Sequence, residues 1–352
     1  MRIGFLGAGR IGSFHAAALA ATDGVDHLVI GDVDPGRAAA LAAALNGRFG
    51  DRVTAAESVD AVFDAGIDAV AIATATASHA DLITRAARAG LPAYCEKPIS
   101  LDLAGTVRAL REVATAGTLL QMGFQRRFDA GYRAAKEAYA SGKLGRVHTI
   151  RAVTSDAAPP PAEFLPHSGG LIRDCLVHDF DAVRWLTGRE VVEVFATGAN
   201  GGAAFFREAG DVDTAAALLT LDDDTLVTAT ATRYNGAGYD VRMELSGERD
   251  SHVVGLDART PFTSAEPGGP GAPARPWTGF LERFEDAYRA ELAAFVAAAR
   301  GDAPNPCSGE QALNALLVAE ACELSRLEHR PVRLSEMAER MAALTEAAAP
   351  TP

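Results

Sequence analysis

The run Gly7-Ala8-Gly9-Arg10-Ile11-Gly12 follows directly on a short apolar stretch, residues 2–6, and leads into an alanine-rich stretch, residues 13–21. Three glycines at that spacing constrain the chain more than any other feature. A strand must enter and a helix must leave with almost no chain between them, and Gly7 permits the tight turn. The pattern alone also fits a flexible loop, so its neighbours matter. A strand precedes it and a helix follows. A second apolar run, Leu28-Val29-Ile30-Gly31, then ends in Asp32, twenty residues past Gly12.

The alternation continues. Residues 38–45 read as a helix, 53–54 as a short strand, 68–74 as a strand apolar through its middle, and 80–89 as a helix. Tyr94-Cys95 reads as a strand, 103–116 as a helix and 119–124 as a further strand. Strands and helices in turn predict an α/β fold, a doubly wound parallel sheet over 1–124. After a helix at 130–141 the rhythm changes. Strand candidates at 147–155, 191–197, 214–221, 225–234 and 241–246 follow with few helices between them, and Asp222-Asp223-Asp224 reads as a hairpin turn. This predicts a second, α+β domain over 125–335 with a large, mostly antiparallel open sheet. Helices are expected at 280–300 and 309–328. The segments Pro159-Pro160-Pro161 and 266–276 read as exposed loops, and 336–352 as a C-terminal tail, frayed from 346.

With 33 basic against 46 acidic side chains, the net charge of −13 repels phosphate backbones and anionic lipid. Neither nucleic acid nor a membrane is expected as a partner. The opening apolar run is shorter than a secretion signal needs, and no stretch reaches the length of a membrane span. Cys95, Cys175, Cys307 and Cys322 form no C-x-x-C pair and no zinc-spaced cluster, so they read as reduced thiols of a cytoplasmic protein with no metal.

The glycine turn gives these patterns a chemistry. Gly9 lets a pyrophosphate approach the backbone, Gly12 lets helix and strand pack closely, and the helix N-terminus offers N–H groups and partial positive charge. The whole turn, Gly7, Ala8, Gly9, Arg10, Ile11 and Gly12, is therefore a candidate dinucleotide cradle. Asp32 suits the adenosine ribose hydroxyls and repels a 2′-phosphate, which favours NAD. Arg37, just past that strand, could host such a phosphate in NADP or stand as a solvated helix residue. Thr74, Ser78 and His79 fall at the carboxyl end of a strand, the ligand edge of such sheets. His79 reads equally as a residue packed against the loop. Lys97 stands at the same edge, held extended by Pro98.

Further along, Asp174 and His178 are four residues apart in what reads as a helix from 169 to about 185, on one face. An exposed ion pair is one reading. Acid–base work is the other: an imidazole titrates near neutrality, a carboxylate fixes its tautomer, and a lysine ammonium steadies a developing alkoxide. With NAD taking the hydride, Lys97, Asp174 and His178 would handle the hydroxyl proton, either Lys97 or His178 being the immediate acceptor.

The glycine turn, Glu96-Lys97-Pro98, the run Gln121-Met122-Gly123-Phe124-Gln125-Arg126-Arg127-Phe128-Asp129, and Asp174 with His178-Asp179 together resemble the glucose–fructose oxidoreductase/inositol dehydrogenase/rhizopine catabolism (Gfo/Idh/MocA) family over nearly the whole chain. Arg126–Tyr132, Leu176–Asp179 and Gly238-Tyr239-Asp240 are most similar to inositol 2-dehydrogenases. The resemblance implies a Rossmann domain, an open sheet domain and assembly as a homo-oligomer, a tetramer through the sheets or a dimer. It implies Lys97, Asp174 and His178 as the catalytic set, Glu96 and Lys97 near the nicotinamide, and Arg126 and Tyr239 lining a polyol pocket. Where inositol dehydrogenases carry a histidine and, two residues on, an asparagine, this chain has Thr154-Ser155-Asp156. Thr154 and Asp156 stay polar, so a hydroxyl-rich ligand still fits. The expectation is an NAD-dependent oxidation of a cyclic polyol, an inositol first. The alternatives are an NAD(P)-linked sugar enzyme of the same family and a non-catalytic dinucleotide sensor.

Overall fold

The computed structural model describes residues 1–347. They form two compact units. One takes residues 1–125 and 286–313 with the described residues from 343 onward, and the other takes 126–285 and 314–342.

The first unit is built on six parallel strands: β1 (Arg2–Leu6), β2 (His27–Gly31), β3 (Val53–Ala55), β4 (Ala69–Ile72), β5 (Ala93–Glu96) and β6 (Leu120–Gly123). Their order is β3-β2-β1-β4-β5-β6, as the doubly wound expectation requires. Ile3, Phe5, Leu28, Ile30, Ala69 and Ala71 are all buried in one core, because helices cover both faces and leave the strands no solvent side. The strand order reverses between β1 and β4, where Leu6 pairs with Gly31 on one side and Ile72 on the other. That reversal opens the crevice in which such sheets bind ligands.

Two expectations need correction here. Residues 286–313 were assigned to the second domain by sequence position, yet they pack with the first. Leu292, Phe295 and Val296 join the core of Ile3, Phe5 and Leu19. The amide of Met122 donates to the Cys307 carbonyl at 2.9 Å, and the Asn305 amide donates to the Leu120 carbonyl at 2.8 Å. The expected helix over 280–300 is in fact two, Phe280–Arg283 and Glu285–Ala299, interrupted at Phe284, which leaves helical dihedrals and is buried.

The second unit holds β7 (Val147–Ser155), β8 (Val191–Ala199), β9 (Thr214–Leu221), β10 (Leu226–Thr232), β11 (Asp240–Gly247), β12 (Ser251–Val254) and β13 (Val332–Arg333), in the order β12-β11-β7-β10-β9-β8-β13. Every pair is antiparallel except β10 with β7. The triple-aspartate turn closes β9 on β10, with Asp224 at φ 63. Alternate residues are buried along β9 and β10, so the sheet has one covered and one open face. Phe195, Leu218, Thr228 and Arg151 stand side by side across four strands of the open face.

The expected tail from 336 begins inside a helix, Leu334–Ala347, whose Glu336 suits a helix N-terminus and whose Met337 is buried. Residues 348–352 lie outside the described residues.

Candidate active site

The glycine turn stands at the β1/β4 reversal. Gly7 has φ +103, and a methyl group there would lie 2.4 Å from the Ala73 carbonyl oxygen and 2.8 Å from the Thr74 nitrogen. A methyl on Gly12 would lie 1.9 Å from the Gly7 oxygen. Both positions are closed to any side chain. Gly9 differs: it caps the helix Arg10–Ala20 without a side-chain bond, and the space beside it is open. Ala8, Arg10 and Ile11 complete the turn. A helix N-terminus that faces open space through a bare backbone is what a pyrophosphate requires, so the residues present fit a dinucleotide.

Asp32 closes the same corner. One carboxylate oxygen accepts from the Ala8 amide at 2.6 Å and the other from the Asp34 amide at 2.9 Å. Each oxygen keeps a second lone pair for a ribose hydroxyl. Arg37 is well exposed and lies 3.5 Å from Asp34, the solvated arrangement weighed from sequence. At the end of β4, the Thr74 and Ser78 hydroxyls bond each other at 2.7 Å. His79 is buried, with Nδ1 2.7 Å from the Pro98 carbonyl and Nε2 3.1 Å from the Thr74 carbonyl. Burial lowers its pKa below the ordinary histidine value and outweighs both carbonyls. Its ring thus ties the β4 loop to the loop after Lys97, the packed arrangement that the sequence offers beside the cofactor-edge one.

Lys97 follows β5 directly, at the carboxyl edge shared with the glycine turn, and its bond to Pro98 is cis. Behind it lies a buried cluster that sequence reasoning missed. Glu96 Oε1 is 2.6 Å from His15 Nε2 and accepts from the Tyr94 hydroxyl at 3.0 Å. The same hydroxyl is 3.0 Å from Glu291 Oε2. Burial pushes the Glu96 carboxyl up. The His15 and Tyr94 hydrogen bonds and the Lys97 charge outweigh it, so Glu96 titrates below the usual glutamate value. Burial, with two carboxylates beside it, pushes the Tyr94 phenol well above its usual value.

In the second unit the expected helix around Asp174 and His178 opens differently. Ile172–Leu176 is wound as a π-helical turn, and the α-helix starts only at Val177. The four-residue spacing therefore does not carry the face argument, since a π turn is wider than an α turn. Even so, Asp174 and His178 are, with Arg173, the part-exposed residues of an otherwise buried stretch, 171–180. Asp174 accepts from Arg233 Nη2 at 2.8 Å, and Asp156 accepts from Nη1 of the same arginine at 2.8 Å. Arg233 was not singled out from sequence.

Arg126 and Thr154 are engaged with each other and with Asp179. Both are buried: Arg126 pairs with Asp179, its Nη2 donates to the Thr154 hydroxyl at 2.8 Å, and that hydroxyl donates to Asp179 at 2.8 Å. Burial raises the Asp179 carboxyl, partly offset by Arg126 and Thr154. The network braces β7 against the helix Val177–Thr187. Tyr239 is buried immediately before β11, its amide donating to the Trp277 carbonyl at 2.7 Å. Burial raises its phenol, with Arg126, Asp156, Cys175 and Asp179 as its charged or titratable neighbours. Among the described residues no three His, Cys, Asp or Glu side chains gather as metal ligands do, and no helix is long and apolar enough to cross a membrane.

A bare-backbone cradle at a sheet reversal, a ribose-type acid and a lysine on the same edge define a nucleotide-dependent oxidoreductase with a Rossmann domain. Residues 1–124 match the oxidoreductase family with an NAD-binding Rossmann fold, and residues 132–253 match the GFO/IDH/MocA C-terminal domain. The chain belongs to the GFO/IDH/MocA family. It is 40% identical over 326 residues to the myo-inositol dehydrogenase Hyg17 of Streptomyces leeuwenhoekii, covering 91% of this chain and 96% of that protein. The crystal structure of a myo-inositol dehydrogenase from Corynebacterium glutamicum superposes with a TM-score of 0.85 at 34% identity, over 95% of this chain and 98% of that one. The scyllo-inositol dehydrogenase of Lactobacillus casei, solved with NAD(H) and scyllo-inositol, gives 0.80 at 29%, over 95% and 99%.

Proposed function

We propose that the protein oxidises a secondary hydroxyl of a cyclic polyol, an inositol first among them. NAD, held on the glycine turn and Asp32, supplies the acceptor for the hydride. Lys97, Asp174 and His178 manage the proton. In this reading the Lys97 ammonium steadies the developing alkoxide while His178, its tautomer held by Asp174, takes the hydroxyl proton; in the alternative the neutral Lys97 amine takes it. Glu96 keeps a negative charge beside the lysine, and Asp156 and Tyr239 contribute to the polyol pocket. Arg126 and Thr154 support that pocket through Asp179 and have little direct part in binding.

The observation that carries this reading is the placement of Lys97 on the strand edge that also bears the glycine turn, in a chain whose relatives are named for inositol oxidation. The test is turnover with NAD and NADP on inositol isomers and glucose. NAD with an inositol is expected to win. His178→Ala is expected to lose turnover and still titrate NAD, while Lys97→Ala loses turnover. A folded Lys97→Ala enzyme with near-normal turnover refutes the chemistry.

We also propose that the open face of the second sheet seats another copy of this chain. Phe195, Leu218 and Leu226 are each more than two-fifths exposed there, and the ion pair of Arg151 with Glu244, 2.8 Å, lies in the same cross-strand row. A self-complementary apolar strip with polar neighbours suits a twofold homo-oligomer. Leu218→Glu is expected to lower the mass found by light scattering; an unchanged mass sinks this part. The four buried cysteines, none in a disulfide, fit a reducing compartment, and the cytoplasm is the proposed location.

A further inference from the structure

β7 and β10 are the two parallel neighbours of the second sheet, with Ser155 beside Thr232 at their carboxyl ends. The next residue on each is charged: Asp156 after β7 and Arg233 after β10. The backbone fixes that junction. The Asp156 amide donates to the Thr232 carbonyl at 2.9 Å, the Asn235 amide to the Asp156 carbonyl at 2.8 Å, and the Arg233 amide to the Asp213 carbonyl at 2.8 Å. The π-helical turn Ile172–Leu176 brings Asp174 to the same guanidinium. One arginine thus gives one nitrogen to each of two carboxylates, with Cys175 Sγ 3.1 Å from Nη1.

The exposures are unequal. The Arg233 side chain is 4% exposed, whereas those of Asp156 and Asp174 are 23% and 18% exposed. The cation lies inside and the two anions face outward in front of it. Burying a guanidinium is unfavourable unless its partners compensate, and a buried ion pair is weak evidence of stabilisation. What the arrangement does provide is geometry. A planar guanidinium fixes two acceptors together, which a lysine cannot do. Two adjacent ionised carboxylates are acceptors matched to neighbouring hydroxyl donors, and they repel an anionic substrate.

We propose that Arg233 is a positioning residue of the polyol site, bridging Asp174 and Asp156 so that they stand as paired acceptors for hydroxyl groups of a neutral substrate. The inference rests on the polyol reading above and goes beyond it by naming the device that sets the acceptors. Asp156 acts on substrate binding, and Asp174 acts through His178 on the proton, so Arg233 governs both.

The test is steady-state kinetics with myo-inositol and NAD on the full chain, together with NAD titration and thermal melting. Asp156→Asn acts mainly on the KM for polyol. Arg233→Lys keeps the charge and loses the bridge, and is expected to raise that KM and to lower kcat by about tenfold each, the effect of one lost charge-assisted hydrogen bond. Arg233→Gln loses more. In all three the NAD affinity holds, and Arg233→Lys with Asp156→Asn combined is worse than Arg233→Lys alone by less than the Asp156→Asn factor. A folded Arg233→Lys enzyme with wild-type kcat/KM overturns the inference alone. Equal losses in polyol turnover and NAD affinity also overturn it, since they mark general damage. A wild-type enzyme that oxidises no inositol overturns the polyol reading and this inference with it.

Discussion

Asp179→Asn separates two roles for Arg126. The carboxylate is fully buried, Arg126 is 2% exposed, and Thr154 completes the triangle. Asparagine keeps the shape and one acceptor but removes the charge and turns an amide donor toward either Arg126 or Thr154. Arg126 is then a buried cation with no anion in the triangle, a loss of about 3–5 kcal/mol. Native stability is about 5–15 kcal/mol, so this is a large share of it. At about 2–4 °C per kcal/mol for a unit of this size, the melting midpoint drops by about 6–20 °C. Circular dichroism melting measures the drop, and polyol KM is read at a temperature where the variant is folded. If the triangle is a brace, the midpoint falls and KM moves little. Replacing both ends, Arg126→Met with Asp179→Leu, then recovers much of the loss, because neither charge is left alone. A midpoint within about 2 °C of wild type, outside the stated range, combined with a raised KM, means that Arg126 reads the substrate and that the bracing argument is wrong.

Gly7→Ala places a methyl 2.4 Å from the Ala73 oxygen at φ +103; NAD affinity by fluorescence titration is expected to fall at least about tenfold, in line with strain of about 1–3 kcal/mol, and wild-type affinity contradicts the cradle. The Tyr94 hydroxyl lies 3.0 Å from both the Glu96 and the Glu291 carboxyl oxygens. Tyr94→Phe removes the donor they share, a loss of about 1–3 kcal/mol for a buried acceptor left without it. The melting midpoint is therefore expected to fall by about 2–12 °C, and an unchanged midpoint refutes the tie. For His79 the folded pKa is depressed by burial, so below the unfolded value of about 6.5 the unfolded chain binds a proton that the native one resists. Stability then falls with pH from about 6.5 downward until the folded value is reached. His79→Gln is expected to flatten the fall in melting midpoint between pH 7 and 5 relative to wild type, and parallel curves would exclude His79 as a contributor.

The first sheet was legible because its signals are local. Gly7, Gly9 and Gly12 mark a turn that only strand and helix neighbours make useful, and the buried strands are continuous apolar runs. The second sheet was legible through alternation and the triple-aspartate turn. The missed strands were Ser251–Val254 and Val332–Arg333, which are too short to show a period. Residues 286–313 were placed by chain order, and nothing local shows that Leu292 and Phe295 belong to a core built from residue 3 onward.

The site divides in the same way. Asp32 and Lys97 announce themselves by position relative to a strand end, so the sequence carries them. Arg233 is one of many arginines, and its meaning depends on Asp174, 59 residues away, and Asp156, 77 away. Glu291 is linked to Tyr94 across 197 residues. A buried charge has to find its counter-charge wherever packing brings it, and that distance has no signature in spacing. Arg126 and Thr154 show the converse: the family resemblance offers both as pocket residues, and it does not tell whether their polar atoms face a ligand or each other. The hydrogen bonds to Asp179 favour each other. Polar residues read from resemblance are therefore best assigned only after the buried charges around them have been paired, since a side chain already engaged by a neighbour has fewer bonds to offer a ligand.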